Sequence, residues 1–233
     1  MNERDLAEVW PLQRPWPAPE PGHLDPLGLV YAHHPGVLRL GMIASADGRA
    51  SGPDGSSRSL NGPADHRILR LLRAQADVVL VGGATARNEH YQDLPVPAAA
   101  ASGPDLAIVS YDGSIPVGLD PKRTWVVTTS RAPAASEPPL PADRVIIAGD
   151  DAIDAEAMTA AFATHGISKI LCEGGPTLAS WLLAANAVDD ICLTRSAVAG
   201  GDDQPAAPRI PMCFALSRRL EGGGFTMERW IRD

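Results

Sequence analysis

Three junctions between an apolar run and a turn hold the residues that could do chemistry. Residues 78–81, Val-Val-Leu-Val, run into Gly82-Gly83-Ala84-Thr85. Unobstructed backbone amides there would open a helix whose N-terminus favours an anion, with the Thr85 hydroxyl beside it. The same glycines also suit a tight strand-to-helix turn that serves packing alone. A second junction takes Ile170-Leu171-Cys172 into Glu173-Gly174-Gly175-Pro176-Thr177. It combines a carboxylate, two residues that let a diphosphate approach the backbone, a proline suited to the first helical position, and a threonine offering amide and hydroxyl. It is not the G-x-G-x-x-G fingerprint, and a plain helix start is its bland alternative. The third is Asp47-Gly48, following residues 38–45. These are ordinary turn residues. Asp47 is also a carboxylate at the mouth of a sheet, able to take paired hydrogen bonds from an amino-pyrimidine edge.

The elements that must position these groups follow from the hydrophobic pattern. Strands are expected at 38–45, 78–81, 106–110, 124–128, 145–147, 169–172 and 190–194. Helices are expected at 63–76, from Ala84, at 154–164 with Asp154 as cap, and at 176–185. Strand alternating with helix is α/β grammar, and ligands in such sheets bind beyond the carboxyl ends of the strands. Residues 214–220 and 225–231 flank Glu221-Gly222-Gly223-Gly224, which predicts an antiparallel pair around a glycine turn and so a mixed sheet. Segments 98–103 and 133–141, rich in Pro, Gly and Ala, are expected as surface loops. From Trp10 to Pro26 six prolines forbid a regular helix. Residues 1–35 therefore form an extended arm, docked through Trp10 and Trp16, ahead of one domain at 36–233.

Composition narrows the function. The 233 residues are 45% hydrophobic and 21% charged, enough for a full core and a cleft. Twenty basic against twenty-eight acidic residues give a net charge of −8 with no Lys/Arg run, which disfavours nucleic acid as a partner. Cys172, Cys192 and Cys213 are odd in number and form no Cys-x-x-Cys pair, so neither a disulfide framework nor a thiolate metal site is expected. With no basic-then-apolar leader and no apolar run of membrane length, a cytoplasmic protein that binds no membrane is expected.

Ser45-Ala46-Asp47-Gly48, residues 71–77 (Leu-Leu-Arg-Ala-Gln-Ala-Asp), Gly82-Gly83-Ala84-Thr85 and residues 173–178 (Glu-Gly-Gly-Pro-Thr-Leu) occur in this order. The ordered set resembles the riboflavin-biosynthesis pyrimidine reductases, the reductase half of bifunctional deaminase-reductases, over about residues 37–201. The zinc deaminase signature, H-x-E with P-C-x-x-C, is absent, so a stand-alone reductase is expected. The resemblance implies a dihydrofolate-reductase-like α/β fold with a mostly parallel mixed sheet, and NADPH as cofactor.

It also implies roles by position. Gly82, Gly83, Thr85, Gly174, Gly175, Pro176, Thr177 and Leu178 would hold the cofactor phosphates and nicotinamide ribose, and Ala44 and Ser59 would line the nicotinamide. Ser130 beside Arg131 would meet the adenosine phosphate, and Glu89 would take the place of a carboxylate on the cofactor side. Ser57, Arg73, Asp47 and Glu173 would contact substrate, with Arg73 on its sugar phosphate and Asp47 and Glu173 in catalytic orientation. A solvated helix residue is the alternative for Arg73. The lysine many members carry shortly before Ser-x-Asp-Gly is absent, this stretch reading Leu40-Gly41-Met42-Ile43. The implied activity is reduction of a ribosylamino-pyrimidine phosphate by hydride transfer. Dihydrofolate reduction and NADPH binding without turnover are the alternatives. The C-terminal strand pair would leave an apolar sheet surface or edge to cover, which predicts a homodimer.

Overall fold

The computed structural model describes residues 2–89, 91–92, 94–98, 100, 102–132 and 140–233; most of the proline-rich loop expected at 133–141 lies outside them. Residues 78–82 alternate in burial partner with period two. Val78 and Leu80 point into one apolar layer and Val79 and Val81 into the other, so the strand is covered on both faces. The same alternation splits Ile170 and Cys172 from Leu171. One layer is filled by Met158, Phe162, Leu178 and Leu182, the other by Ile68, Leu71, Leu72 and Leu27.

These strands belong to one sheet. In chain order the elements are β1 (Leu6–Trp10), β2 (Arg14–Trp16), α1 (Leu27–Val30), β3 (Leu38–Ala44), α2 (Pro63–Ala74), β4 (Val78–Gly82), α3 (Gly83–Glu89), β5 (Asp105–Val109), β6 (Thr124–Thr128), β7 (Val145–Ile147), α4 (Ala155–Thr164), β8 (Ile170–Gly174), α5 (Pro176–Ala184), β9 (Asp190–Ser196), β10 (Phe214–Gly222) and β11 (Phe225–Arg232). Their order across the sheet is β2-β1-β10-β11-β9-β3-β8-β4-β5-β6-β7. From β9 to β7 all neighbours are parallel, and from β9 outward through β11, β10 and β1 to β2 all are antiparallel. The mixed sheet and its C-terminal hairpin match the expectation. Gly222 faces Phe225, and Gly223 and Gly224 both have positive φ, the requirement of a two-residue hairpin turn. Asp154 caps α4 by accepting the Ala157 amide at 2.8 Å.

The N-terminal segment is extended, and it is paired into the sheet instead of lying across the body as a lone strap. Proline blocks helix but is tolerated on an edge strand, and Pro15 sits in the outermost strand, β2. β1 pairs with β10, so the arm extends the body's own sheet. Trp16 packs against the core, whereas Trp10 stays half exposed, at 53%. Arg67 of α2 pins the segment. It pairs with Asp25 at 2.6 Å and donates to the carbonyls of Arg4, Trp16 and Pro17. The hairpin edge thought to need a second copy of the chain is therefore covered from within. Deeper in the sheet, fully buried Arg39 is satisfied by Asp190 at 2.6 Å and by the carbonyls of Tyr31 and Ala32. Arg229 joins the same carboxylate at 2.8 Å.

Candidate functional site

A cleft of about 620 Å³ opens where the parallel strands β3, β8, β4 and β9 end, as the position of ligands in α/β sheets anticipates. Two of the glycine junctions meet in its wall. The hydroxyl of Thr85, in the first turn of α3, accepts a hydrogen bond from the Gly175 amide at 2.7 Å. Gly174 has φ +92°, its peptide bond to Gly175 is cis, and a Cβ added at Gly175 would stand 2.7 Å from that hydroxyl. At Gly175 a side chain has no room, and at Gly174 the positive φ disfavours one. Gly175 caps α5 without any side-chain bond, and Pro176 at the first helical position has no N–H to satisfy. The amides at the start of α5 are thus left to a ligand. Gly82, Thr177 and Leu178 line the cleft with them. Gly83 opens α3 behind Gly82.

The floor is a closed ionic unit. Arg73, from the last turn of α2, donates from Nε and Nη2 to the two oxygens of Glu173 at 2.7 Å each, and the Tyr91 hydroxyl donates to the same carboxylate at 3.1 Å. Burial works against the Arg73 charge, but Glu173 beside it more than offsets that and raises its pKa. Burial, and then the negative charge of Glu173, push the Tyr91 phenol well above its ordinary value. Arg73 is therefore neither the solvated helix residue nor a free phosphate clamp. The exposed arginines on this wall are Arg70, with His66 one turn before it on α2, and Arg58. Burial, then the neighbouring arginines, lowers the His66 pKa, which disfavours a cation there and leaves the positive charge to the arginines.

Several expected residues are elsewhere. Asp47 is exposed and off the cleft wall. Its carboxylate takes the Ser45 hydroxyl at 2.5 Å and the amides of Gly200 and Gly201 at 2.7 and 3.1 Å. Those bonds, with the Ser45 hydroxyl foremost, hold its pKa far below the usual carboxylate range. The turn reading of Asp47-Gly48 is the one the geometry supports: three of the carboxylate's acceptor positions fasten a loop, and the group lies off the cleft wall. Ala44 is packed in the core, and the Ser59 hydroxyl turns to Asp54 at 2.6 Å, so neither forms the cleft wall. Ser57 and Glu89 are on the wall but joined to each other, the Ser57 amide donating to Glu89 at 2.8 Å. Ser130 and Arg131 lie off the cleft. Ser130 donates to Asp150 at 2.6 Å and Arg131 pairs with Asp151, so a phosphate there would face two carboxylates instead of a free hydroxyl and guanidinium.

Sequence reasoning missed Asp65, Tyr91 and Thr194, all on the cleft wall. Asp65 sits in the first turn of α2, where an acid ordinarily complements the helix dipole on the surface. Here it is buried. Burial pushes its pKa up to about 6 against the pull of the Thr194 hydroxyl. An acid at that helical position gives no sign of burial unless β9 is known to lie across from it. Among the described residues no cluster of His, Cys, Asp or Glu is arranged to hold a metal, and no helix is long and apolar enough to cross a membrane.

Comparison with known proteins gives this geometry its context. The family model described as the RibD C-terminal domain matches residues 37–210. The 2,5-diamino-6-ribosylamino-4(3H)-pyrimidinone 5′-phosphate reductase of Archaeoglobus fulgidus is 25% identical over 186 residues, 71% of this chain and 83% of that one. A pyrimidine reductase-like protein from Corynebacterium diphtheriae superposes with TM-score 0.70 at 22% identity, over 89% of this chain and 95% of that chain. The deaminase/5-amino-6-(5-phosphoribosylamino)uracil reductase of Thermotoga maritima superposes with TM-score 0.67 at 16% identity, over 85% of this chain but only 57% of that longer one.

Proposed function

The chain belongs to the RibD C-terminal domain family, whose fold is dihydrofolate-reductase-like, and we propose that it is an NADPH-dependent reductase of a ribosylaminopyrimidine phosphate. The observation that carries this reading is the convergence of the bare Gly175 backbone, the open start of α5 and the Thr85 hydroxyl on one wall of the cleft. A dinucleotide diphosphate fits that wall, because the first amides of α5 have no side-chain cap and a Cβ at Gly175 would crowd the Thr85 hydroxyl. When bound, the nicotinamide supplies hydride.

The chain's own residues do the rest by positioning. The Arg73–Glu173–Tyr91 unit forms a rigid, dry floor that holds the two ligands face to face, from which most of the rate gain comes. Arg70 at the mouth is placed to meet the substrate's phosphate, with Arg58 on the same wall. Dihydrofolate reduction has no observation in its favour.

A cytoplasmic homodimer accompanies this reading. Its support is the exposed Val9, Trp10 and Leu12 on the N-terminal hairpin, in place of the free edge first expected. Light scattering should return about twice the 24.5 kDa chain mass, and a monomer at every concentration removes the dimer. For the activity, purified protein is given NADPH with each ribosylaminopyrimidine phosphate and cofactor oxidation is followed. Turnover with at least one is expected; NADPH binding without oxidation by either overturns the reading.

A further inference from the structure

Four carboxylates line the cleft among the described residues: Asp65, Glu89, Glu173 and Glu228. Three are spoken for. Glu173 is closed by Arg73 and Tyr91. Glu89 holds the Ser57 amide and lies 3.8 Å from Arg58. Glu228 is paired with Arg219 at 2.7 Å and Arg195 at 3.4 Å. Asp65 has only the Thr194 hydroxyl, although it is just 6% exposed. Arg73, on its own helix, is committed to Glu173, which faces Asp65 from β8 with a further negative charge. A carboxylate has about four acceptor positions, and one hydroxyl fills one of them. Asp65 lines the cavity with the others unfilled.

We propose that Asp65 reads the 2-position of the pyrimidine and makes the cleft select a 2-amino-4-oxopyrimidine over a uracil. This rests on the reductase reading above. The 2-amino compound presents its ring N3–H and its exocyclic amino group side by side, two parallel donors that match the two oxygens of a carboxylate. A uracil presents N3–H beside a carbonyl oxygen. That carbonyl would face an anion with no proton between them, in a buried site where an unmatched polar pair is costly. Discrimination by a required hydrogen bond is the strong kind, because the wrong substrate leaves buried groups unpaired.

The test compares kcat/KM for the 2-amino and the 2-oxo ribosylaminopyrimidine phosphates in the wild type, Asp65→Asn and Asp65→Ser, with melting curves and NADPH affinity measured alongside. The wild type should prefer the 2-amino substrate by about tenfold or more. Asp65→Asn should reverse that preference, because its oxygen accepts N3–H while its amide N–H donates to the uracil carbonyl. Asp65→Ser should bring the ratio close to one, with NADPH affinity unchanged in both variants. A wild-type ratio near one or favouring the uracil overturns the proposal, as does an unchanged ratio in either folded variant. If neither substrate is turned over, the reductase reading fails on its own. Asp65 is then judged by calorimetry of the NADPH-loaded wild type and variants with isocytosine and with uracil. Preference for isocytosine that disappears in the variants supports the assignment, and equal binding rejects it.

Discussion

Thr85 and Gly175 are 90 residues apart in sequence, and a 2.7 Å hydrogen bond from the Gly175 amide to the Thr85 hydroxyl joins the two glycine junctions into one wall. Each junction is a local motif, but the wall exists only because β4 and β8 are neighbours in the sheet. Gly175→Val places a branched side chain where a Cβ already meets the Thr85 oxygen at 2.7 Å. The hydroxyl must swing away and the α5 amides become shielded. NADPH affinity should fall by about tenfold or more, equivalent to roughly 1.4 kcal/mol, while the circular dichroism spectrum is kept. Calorimetric titration checks this, and full affinity in a folded variant removes the cofactor from this wall.

The Arg73–Glu173 pair separates stability from function. Glu173→Gln strands a guanidinium that is only 8% exposed, and breaking a buried pair in this way costs about 3–5 kcal/mol. Replacing both residues with methionine removes both charges and should recover most of that stability in urea denaturation. Reductase activity should be lost in both variants, since the floor that orients the substrate has gone. A double variant as unstable as the single one would mean the pair stabilises the fold by more than mutual compensation.

Asp65 gives the stability a pH dependence of unusual sign. Its folded pKa, pushed by burial up to about 6, lies above its unfolded value of 3.8. Between these values the native state holds the proton more tightly, so Asp65 lowers stability progressively as pH rises from about 4 to about 6, with no further change above. The shift corresponds to something on the order of 3 kcal/mol. Subtracting the Asp65→Asn curve from the wild-type curve isolates this slope from the other carboxylates, most of which act in the opposite direction. A flat difference between pH 4 and 6 contradicts the burial argument.

The parallel core and the C-terminal hairpin were legible because each is a local pattern: apolar runs such as 78–81, the Asp154 cap, and the Gly223-Gly224 turn. The glycine junctions were legible for the same reason. Asp47 misled, since a carboxylate at a strand end looks the same whether it faces the cleft or binds the loop at Gly200, which is 153 residues away. Asp65 was silent because its burial is imposed by β9 across the cleft. Arg73 was found without its partner, because the 100-residue separation from Glu173 closes only in three dimensions.

Ser130 and Arg131 show how a neighbouring loop can cancel a motif. With Asp150 accepting from Ser130 and Asp151 paired to Arg131, both groups are already partnered at the surface, where such pairs contribute about 0–1 kcal/mol. Arg131→Ala should therefore change the ratio of NADPH to NADH affinity by less than about twofold. Fluorescence titration with both cofactors measures this. A collapse of the NADPH preference would return the adenosine phosphate to this loop.

One side chain clamps the N-terminal hairpin at several points. Arg67 is 8% exposed and holds Asp25 together with the carbonyls of Arg4, Trp16 and Pro17, four points along the segment. Arg67→Ala leaves the Asp25 carboxylate buried without its cation and three carbonyls without a donor, which favours local release of the segment over its continued packing. β10 would then be uncovered along the register Ala7 to Glu221. The variant should be cut by protease within about the first 26 residues at concentrations that spare the wild type, because cleavage follows the population of the open form. Its cleft, built from α2 onward and from β3, should still bind NADPH. Since uncovered strand edges template pairing with another chain, the variant should also gain mass in light scattering as its concentration is raised. Protection equal to the wild type would show that the β1–β10 ladder holds the hairpin without the clamp.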